Sequence, residues 1–197
     1  VLKKIQTHAS LDLCLLVSGM HLSPEFGKTI ETIVDDGFPI GDQIEMLISS
    51  DSPEAIAKSM GLGTIGFAQS YARQKPDLLL ILGDRFEMHA AAVAALPFNI
   101  PIAHIHGGES TEGLIDESIR HSLTKMSHLH FASTQKYANR IVQMGEAPWR
   151  VKVSGAPSLD NLNDIPLLSQ KAIEQELGFK LADQVLLITY HPVTLEY

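Results

Sequence analysis

The chain is poor in the residues that mark proteins for export, membranes or nucleic acid. Its 197 residues include one cysteine, one tryptophan and only 6% aromatic side chains. A single thiol cannot close an internal disulfide. Cys14 stands inside Leu-Asp-Leu-Cys-Leu-Leu-Val, where it reads as an inert strand residue rather than a nucleophile, compatible with a reducing cytoplasm. No run approaches the ~20 apolar residues that span a bilayer, and no basic start with an apolar centre marks a signal peptide. Lys and Arg number 15 against 23 Asp and Glu, giving a net charge of -8, and the basic residues are scattered singly. No basic stripe is present for nucleic acid or an anionic membrane, so any anionic ligand must be held by local groups.

What is present is aliphatic. With 45% hydrophobic residues, the chain can bury a large core, and its length suits one large α/β domain or one and a half. Residues 1–9 read as the end of a helix that starts before the sequence does, which suggests a fragment. Strands are predicted at Leu11–Val17, within Phe38–Leu47, and at Leu78–Leu82, Ile100–Ile105, Leu129–Ala132, Val151–Ser154 and Val185–Thr189. Leu78–Leu82 is an unbroken apolar run and reads as a strand covered on both faces. Helices are predicted from Ser23-Pro24 to Asp36-Gly37, from Ser52-Pro53 through Tyr71, and over Phe86–Leu96, Glu117–Met126, Thr134–Met144 and Pro166–Leu177, with a short one in Gly155–Leu162. Strands alternating with helices at crossover spacing predict a doubly wound parallel sheet.

Three predicted strands end on groups able to exchange protons or hold phosphate: Gly83-Asp84-Arg85, His106-Gly107-Gly108-Glu109 and Tyr190-His191-Pro192. In open α/β sheets ligands bind at the carboxyl ends of strands, which makes all three site candidates. The bland alternative for Asp84 is that it caps the following helix. Gly107-Gly108 marks either a tight turn or close approach of backbone to a ligand. Asp116-Glu117 could simply favour a helix dipole, or could form a carboxylate pair with Arg120 one turn on. Gly61, Gly63 and Gly66 match G-x-G-x-x-G, but no strand runs into them, so close helix packing is the better reading than dinucleotide binding. His104 and His106 alternate onto one face, inviting a metal shell with Glu109, His121, His128 or His130, yet no H-E-x-x-H or cysteine pair supports it. No G-x-S-x-G elbow points to a serine hydrolase.

Taken together, Ser18-Gly19-Met20-His21, Leu82-Gly83-Asp84-Arg85-Phe86-Glu87, His104-Ile105-His106-Gly107-Gly108-Glu109, Ile115-Asp116-Glu117-Ser118-Ile119-Arg120-His121 with Thr124-Lys125, and His191-Pro192-Val193-Thr194 resemble, in order, the UDP-N-acetylglucosamine 2-epimerases, in particular the hydrolysing branch that serves sialic-acid-type and legionaminic-acid sugars. The resemblance implies a Rossmann-like N-terminal domain of a two-domain glycosyltransferase-B fold over residues 1–163, its first strand absent. Residues 164–197 would be a linker helix and the first strand of a truncated UDP-binding domain, so that the chain as given would lack most of the nucleotide-binding half. It implies a cytoplasmic bacterial enzyme that forms a dimer or tetramer and takes a UDP-sugar substrate, with no cofactor and no catalytic metal. An anti elimination would remove the proton at sugar C2 and expel UDP, and water would then give free N-acetylmannosamine or a 2,4-diacetamido analogue. The alternatives are a non-hydrolysing epimerase and a non-catalytic nucleotide-sugar module. Carried over by position, Asp84, His106 and Glu117 would be catalytic, while His21, Arg85, His104, Gly107, Gly108, Glu109, Asp116, Arg120 and His191 would bind substrate. Many relatives have Glu where this chain has His106.

Overall fold

A computed structural model describes residues 1–111, 113–164 and 166–189. The described chain orders as α1 (Leu2–Gln6), β1 (Leu15–Ser18), α2 (Ile30–Asp35), β2 (Ile40–Ile44), α3 (Pro53–Gln74), β3 (Leu79–Leu82), α4 (Phe86–Ala95), β4 (Ile102–Ile105), α5 (Ile115–Met126), β5 (Leu129–Ala132), α6 (Gln135–Gln143), β6 (Val151–Val153), α7 (Asn161–Asp164) and α8 (Gln170–Leu177). All strand pairs are parallel, so each connection must cross over a sheet face.

The strands form two sheets, β1-β2 and β3-β4-β5-β6. Their order runs away from the β1–β3 boundary in both directions, which is the switch point of a doubly wound fold. Between the facing edges of β1 and β3 lies an apolar cavity of about 480 Å³, lined by Leu15, Leu16, Leu79, Ile81, Phe67 and Tyr71 among others. This gap corrects the expectation for Leu78–Leu82. Ile81 is buried, but Leu78 and Leu82 are roughly half exposed, beside an edge of β3 that has no neighbouring strand among the described residues. The strand covered throughout is β4, all four of whose residues are buried.

The core is made close-packed by small residues. Ala90, Ala91, Ala92, Ala94 and Ala95 of α4 are all buried, and α3 lies against them with Gly63. A Cβ at Gly63 would stand 2.6 Å from Met46 Cε and 3.0 Å from Ala90 Cβ, and one at Gly66 would meet Ile44 Cγ2 at 2.6 Å. Gly63 and Gly66 therefore serve the packing of α3, whereas a Cβ at Gly61 would meet nothing within 4 Å, so the packing expectation fails there; α3 runs unbroken through all three, which disposes of a dinucleotide-binding loop. Ser52 caps α3 by accepting from Ala55 N–H at 3.2 Å, with Pro53 at its first position, as predicted. Ile81, Ile102 and Leu123 fill the space between sheet and helices, each contributing about 1.5–3 kcal/mol by leaving water.

Besides later starts for β1 (Leu15, predicted Leu11) and α8 (Gln170, predicted Pro166), three predicted elements differ. The helix expected from Ser23 is broken into a single turn over Pro24–Phe26 and the separate α2, because Gly27 (φ 78°) and Lys28 (φ 46°) both turn left-handed and Ser23 makes no cap. Helix α5 starts at Ile115, two residues earlier than predicted, which puts both Asp116 and Glu117 in its first turn. Val185–Thr189 forms no strand among the described residues: Leu186, Leu187 and Ile188 are more than four-fifths exposed, with no neighbouring strand to satisfy them.

Candidate functional site

The carboxyl ends of β1, β3, β4 and β5 and the first turns of α5 converge on one group of side chains. Arg120 is its hub. Although only 6% exposed, it donates from Nη1 to the His106 carbonyl at 2.9 Å and from Nη2 to Thr111 Oγ1 at 3.1 Å, and Nη2 also pairs with the Asp84 carboxylate. Nη1 lies 3.5 Å from Glu109 Oε2. A guanidinium is the natural choice here, since its planar fork can serve several acceptors while staying charged.

Asp84 does not cap α4. Arg85 occupies the cap position and no side chain fills that role. Burial pushes the Asp84 carboxyl above the ordinary range; Arg120 opposes this, and the neighbouring Asp116 reinforces it. A carboxylate held beside a cation, yet easier to protonate than usual, suits proton transfer.

Arg85 is about half exposed and held from behind by Glu87, with Nε and Nη2 each 3.0 Å from a carboxylate oxygen. Glu87 is 4% exposed and lies against Gly19, where a Cβ would stand 2.6 Å from its Oε1. Gly19 also has φ 60°, so glycine answers both demands. Arg85 Nη2 lies 3.0 Å from Met20 Sδ, joining the loops after β1 and β3. His21, next in that loop, is exposed and shares a 2.7 Å hydrogen bond with Thr29 Oγ1.

Glu117 accepts from Thr111 N–H at 2.6 Å and Ser110 Oγ at 3.0 Å, and lies 3.2 Å from His121 Nε2. Burial raises its carboxyl, but these donors outweigh burial and hold it below the ordinary range. It therefore anchors the 110–111 loop, whereas its neighbour Asp116 is the carboxylate coupled to Asp84.

Three expected ligand-facing residues are turned inward. His104 has no exposed surface; its Nε2 lies 2.7 Å from the Gly83 carbonyl, and burial pushes its pKa down to about 4, so the neutral ring donates there and holds the turn that presents Asp84. Gly107 and Gly108 are buried as well. A Cβ at Gly107 would stand 3.0 Å from His104 Nδ1, and one at Gly108 would overlap the Tyr137 carbonyl and come within 2.7 Å of Ile141. The close approach they permit is to the protein's own α6 and His104, and all three support the turns that carry Asp84 and His106. The expected one-face alternation of His104 and His106 also fails, since β4 ends at Ile105 and His106 turns left-handed at φ 66°. His128 Nδ1 accepts from Ile102 N–H at 3.2 Å, and His130 is buried 3.5 Å from Glu146. Among the described residues no three potential ligands gather as a metal site. His191 lies outside the described residues.

Sequence reasoning missed Glu87, Thr111 and Ser133. Glu87 sat in the first turn of a helix, where an acid looks like a dipole partner. Ser133 follows β5 as Asp84 follows β3, so the rule of strand ends would have found it.

Two parallel sheets whose strand orders run in opposite directions from the β1–β3 boundary define a doubly wound α/β protein, and the acid–guanidinium cluster beyond its strand ends is the candidate site. The chain belongs to the UDP-N-acetylglucosamine 2-epimerase family, whose profile matches residues 3–197. It is 42% identical over 192 residues to a Campylobacter jejuni GDP/UDP-N,N'-diacetylbacillosamine 2-epimerase (hydrolyzing), covering 98% of this chain and 50% of that protein. It is 37% identical to a Legionella pneumophila UDP-N,N'-diacetylbacillosamine 2-epimerase (hydrolyzing), covering 100% of this chain and 52% of the relative. The chain thus spans about half the length of these curated relatives. Its fold resembles a crystal structure of UDP-N-acetylglucosamine 2-epimerase (TM-score 0.76, 18% identity, 88% of this chain and 46% of that one). It also resembles the Neisseria meningitidis UDP-GlcNAc 2-epimerase bound to UDP-GlcNAc (TM-score 0.73, 20% identity, 90% and 48%). Among the described residues, no helix is long and apolar enough to cross a membrane.

Proposed function

We propose that this chain carries the sugar-handling half of a hydrolysing UDP-sugar 2-epimerase of bacterial surface-sugar synthesis, acting in the cytoplasm as a homo-oligomer. The observation that carries the reading is the Asp84–Arg120 pair, where a carboxyl that is easier to protonate than usual shares a cluster with Asp116, Glu109 and His106. Elimination of UDP across C1 and C2 needs a positioned base for a proton with no adjacent carbonyl, and cationic groups for the departing diphosphate. Asp84 and His106 supply the proton-transfer groups. Arg85, half exposed and fixed by Glu87, is the cation at the mouth. Glu117 keeps a place in the site as the group that sets the 110–111 loop, and His21, Asp116 and His191 are assigned to the sugar side. The Campylobacter and Legionella relatives, named for N,N'-diacetylbacillosamine, favour a 2,4-diacetamido sugar over N-acetylglucosamine.

The domain reading goes with it: residues 1–163 form a Rossmann-like domain, and 164–197 lead into a second, UDP-binding one. The cavity between the unpaired edges of β1 and β3 supports one further parallel strand in the first domain. Assayed with the second domain present, the protein should release UDP and free sugar from a UDP-linked 2,4-diacetamido sugar. Asp84→Asn should slow this by roughly 10²-fold or more. A UDP-linked epimer as product would make it non-hydrolysing, and binding without release would make it a nucleotide-sugar module.

A further inference from the structure

His106 is held by more than its place in the chain. Its left-handed φ of 66° is rare for a side chain other than glycine, and two hydrogen bonds maintain it: its N–H donates to Phe131 O at 3.0 Å and its carbonyl accepts from Arg120 at 2.9 Å. This backbone turn brings ring Nδ1 to 2.6 Å from Glu109 Oε1. The same carboxylate oxygen accepts from Ser133 Oγ at 2.6 Å, and the other lies 3.5 Å from Arg120 Nη1. Burial raises the Glu109 carboxyl, but Ser133, His106 and Arg120 outweigh it and hold the group ionised below the ordinary range.

An ionised carboxylate has no proton to give, so the contact requires hydrogen on Nδ1, and the neutral ring is then left with a bare Nε2. Nε2 has no hydrogen-bond partner among the described residues, and the side chain stays 21% exposed. We propose that Glu109, braced by Ser133, is a positioning residue that fixes His106 as the Nδ1–H tautomer, so that Nε2 is the base for the substrate proton.

This rests on the functional reading above and deepens it. As the C2–H bond breaks, its proton goes to Nε2. The C2–H electron pair forms the C1–C2 double bond, the C1–O bond breaks, and UDP leaves with the C1–O bonding pair on its diphosphate oxygen. The imidazolium is stabilised by Glu109 and returns its proton to solvent. Glu109 thus acts through His106 rather than on substrate, and Ser133 holds the carboxylate in place for it.

The test is the ¹⁵N spectrum of the His106 ring in the 197-residue chain, with UDP release measured alongside when the second domain is present. The wild type should show protonated Nδ1 and bare Nε2. Glu109→Gln, whose amide can donate as well as accept, should lose the single tautomer and lower kcat by roughly 10²-fold with KM little changed. Glu109→Asp should restore the tautomer and part of the rate, and Ser133→Ala should keep the tautomer with a weaker Nδ1–H hydrogen bond. A wild-type ring protonated on Nε2, or a tautomer indifferent to Glu109→Gln, overturns the proposal even if UDP is released. A wild type with the expected tautomer but no UDP release instead removes the functional reading.

Discussion

Arg120, on the buried face of α5, pairs with Asp84 at the end of β3, and the same guanidinium takes the backbone carbonyl of His106 at 2.9 Å. One side chain thus ties the ends of two neighbouring strands to the helix that crosses them. The two partners are unequal in what the fold asks of them. Asp84 is a carboxyl whose charge burial disfavours, whereas Arg120 serves acceptors in three different segments.

Arg120→Ala should therefore cost about 3–5 kcal/mol, since it leaves two carboxylates and a carbonyl without their cation. Arg120→Lys should recover only part of this, because an ammonium cannot reproduce the fork. Asp84→Asn, which removes a charge that burial and Asp116 both disfavour, should cost less than about 1.5 kcal/mol. Urea unfolding of the three variants measures the order. A lysine variant as stable as the wild type would show that Arg120 acts only as a charge.

The glycines give a second test, because the same left-handed backbone occurs with and without crowding. Gly83 (φ 79°) has nothing within 4 Å of a hypothetical Cβ, while Gly108 (φ 75°) is pressed against the Tyr137 carbonyl and Ile141. Gly83→Ala should cost about 1 kcal/mol for the conformation alone. Gly108→Ala adds overlap with backbone that cannot move aside, and should cost about 2–4 kcal/mol. Equal costs would mean that α6 can shift away from the β4 turn.

How much of this was legible follows from range. Caps such as Ser52 and Thr134, strand β5 to the residue, and the packing role of Gly63 and Gly66 depend on neighbours in sequence or on simple periodicity, and these were read correctly. That Asp84 and His106 would lie together followed from one rule about strand ends, whereas Arg120, on α5, was reached from the neighbouring Asp116-Glu117 and the family resemblance. What stayed hidden depends on which way a side chain turns at the end of a strand. Alternation placed His104 and His106 together, but the left-handed turn at His106 cannot be seen in Ile-His-Gly-Gly. Likewise Gly107-Gly108 announced a close approach without saying to what, and only the packed α6 shows that it is to the protein itself. The exposure of Leu78 and Leu82, beside an edge of β3 with no neighbouring strand among the described residues, lies beyond the reach of any local pattern.

His104 supplies a prediction whose sign is set by burial. As pH falls through the ordinary histidine value of 6.5, the ring in the unfolded chain takes a proton, whereas in the folded protein burial delays protonation until about 4. Between those values the unfolded state binds more protons, so stability must rise with pH across the window, by on the order of 3 kcal/mol from this one residue. His130 is buried and shifted the same way, and adds to the slope. Glu109, Glu117 and Glu146 are held below 4.5, so they contribute only at the acid end of the window and beyond. From pH 6.5 to 5 the histidines therefore give a rising slope, opposed only by Asp84, whose buried carboxyl is shifted up and which is common to the wild type and the variant compared below. Urea midpoints measured there should climb with pH in the wild type. His104→Gln, whose amide can still donate to the Gly83 carbonyl but cannot titrate, should flatten the climb without abolishing it. An unchanged slope in that variant would mean that the ring is reached by protons in the folded state and does not hold the Asp84 turn as a neutral donor.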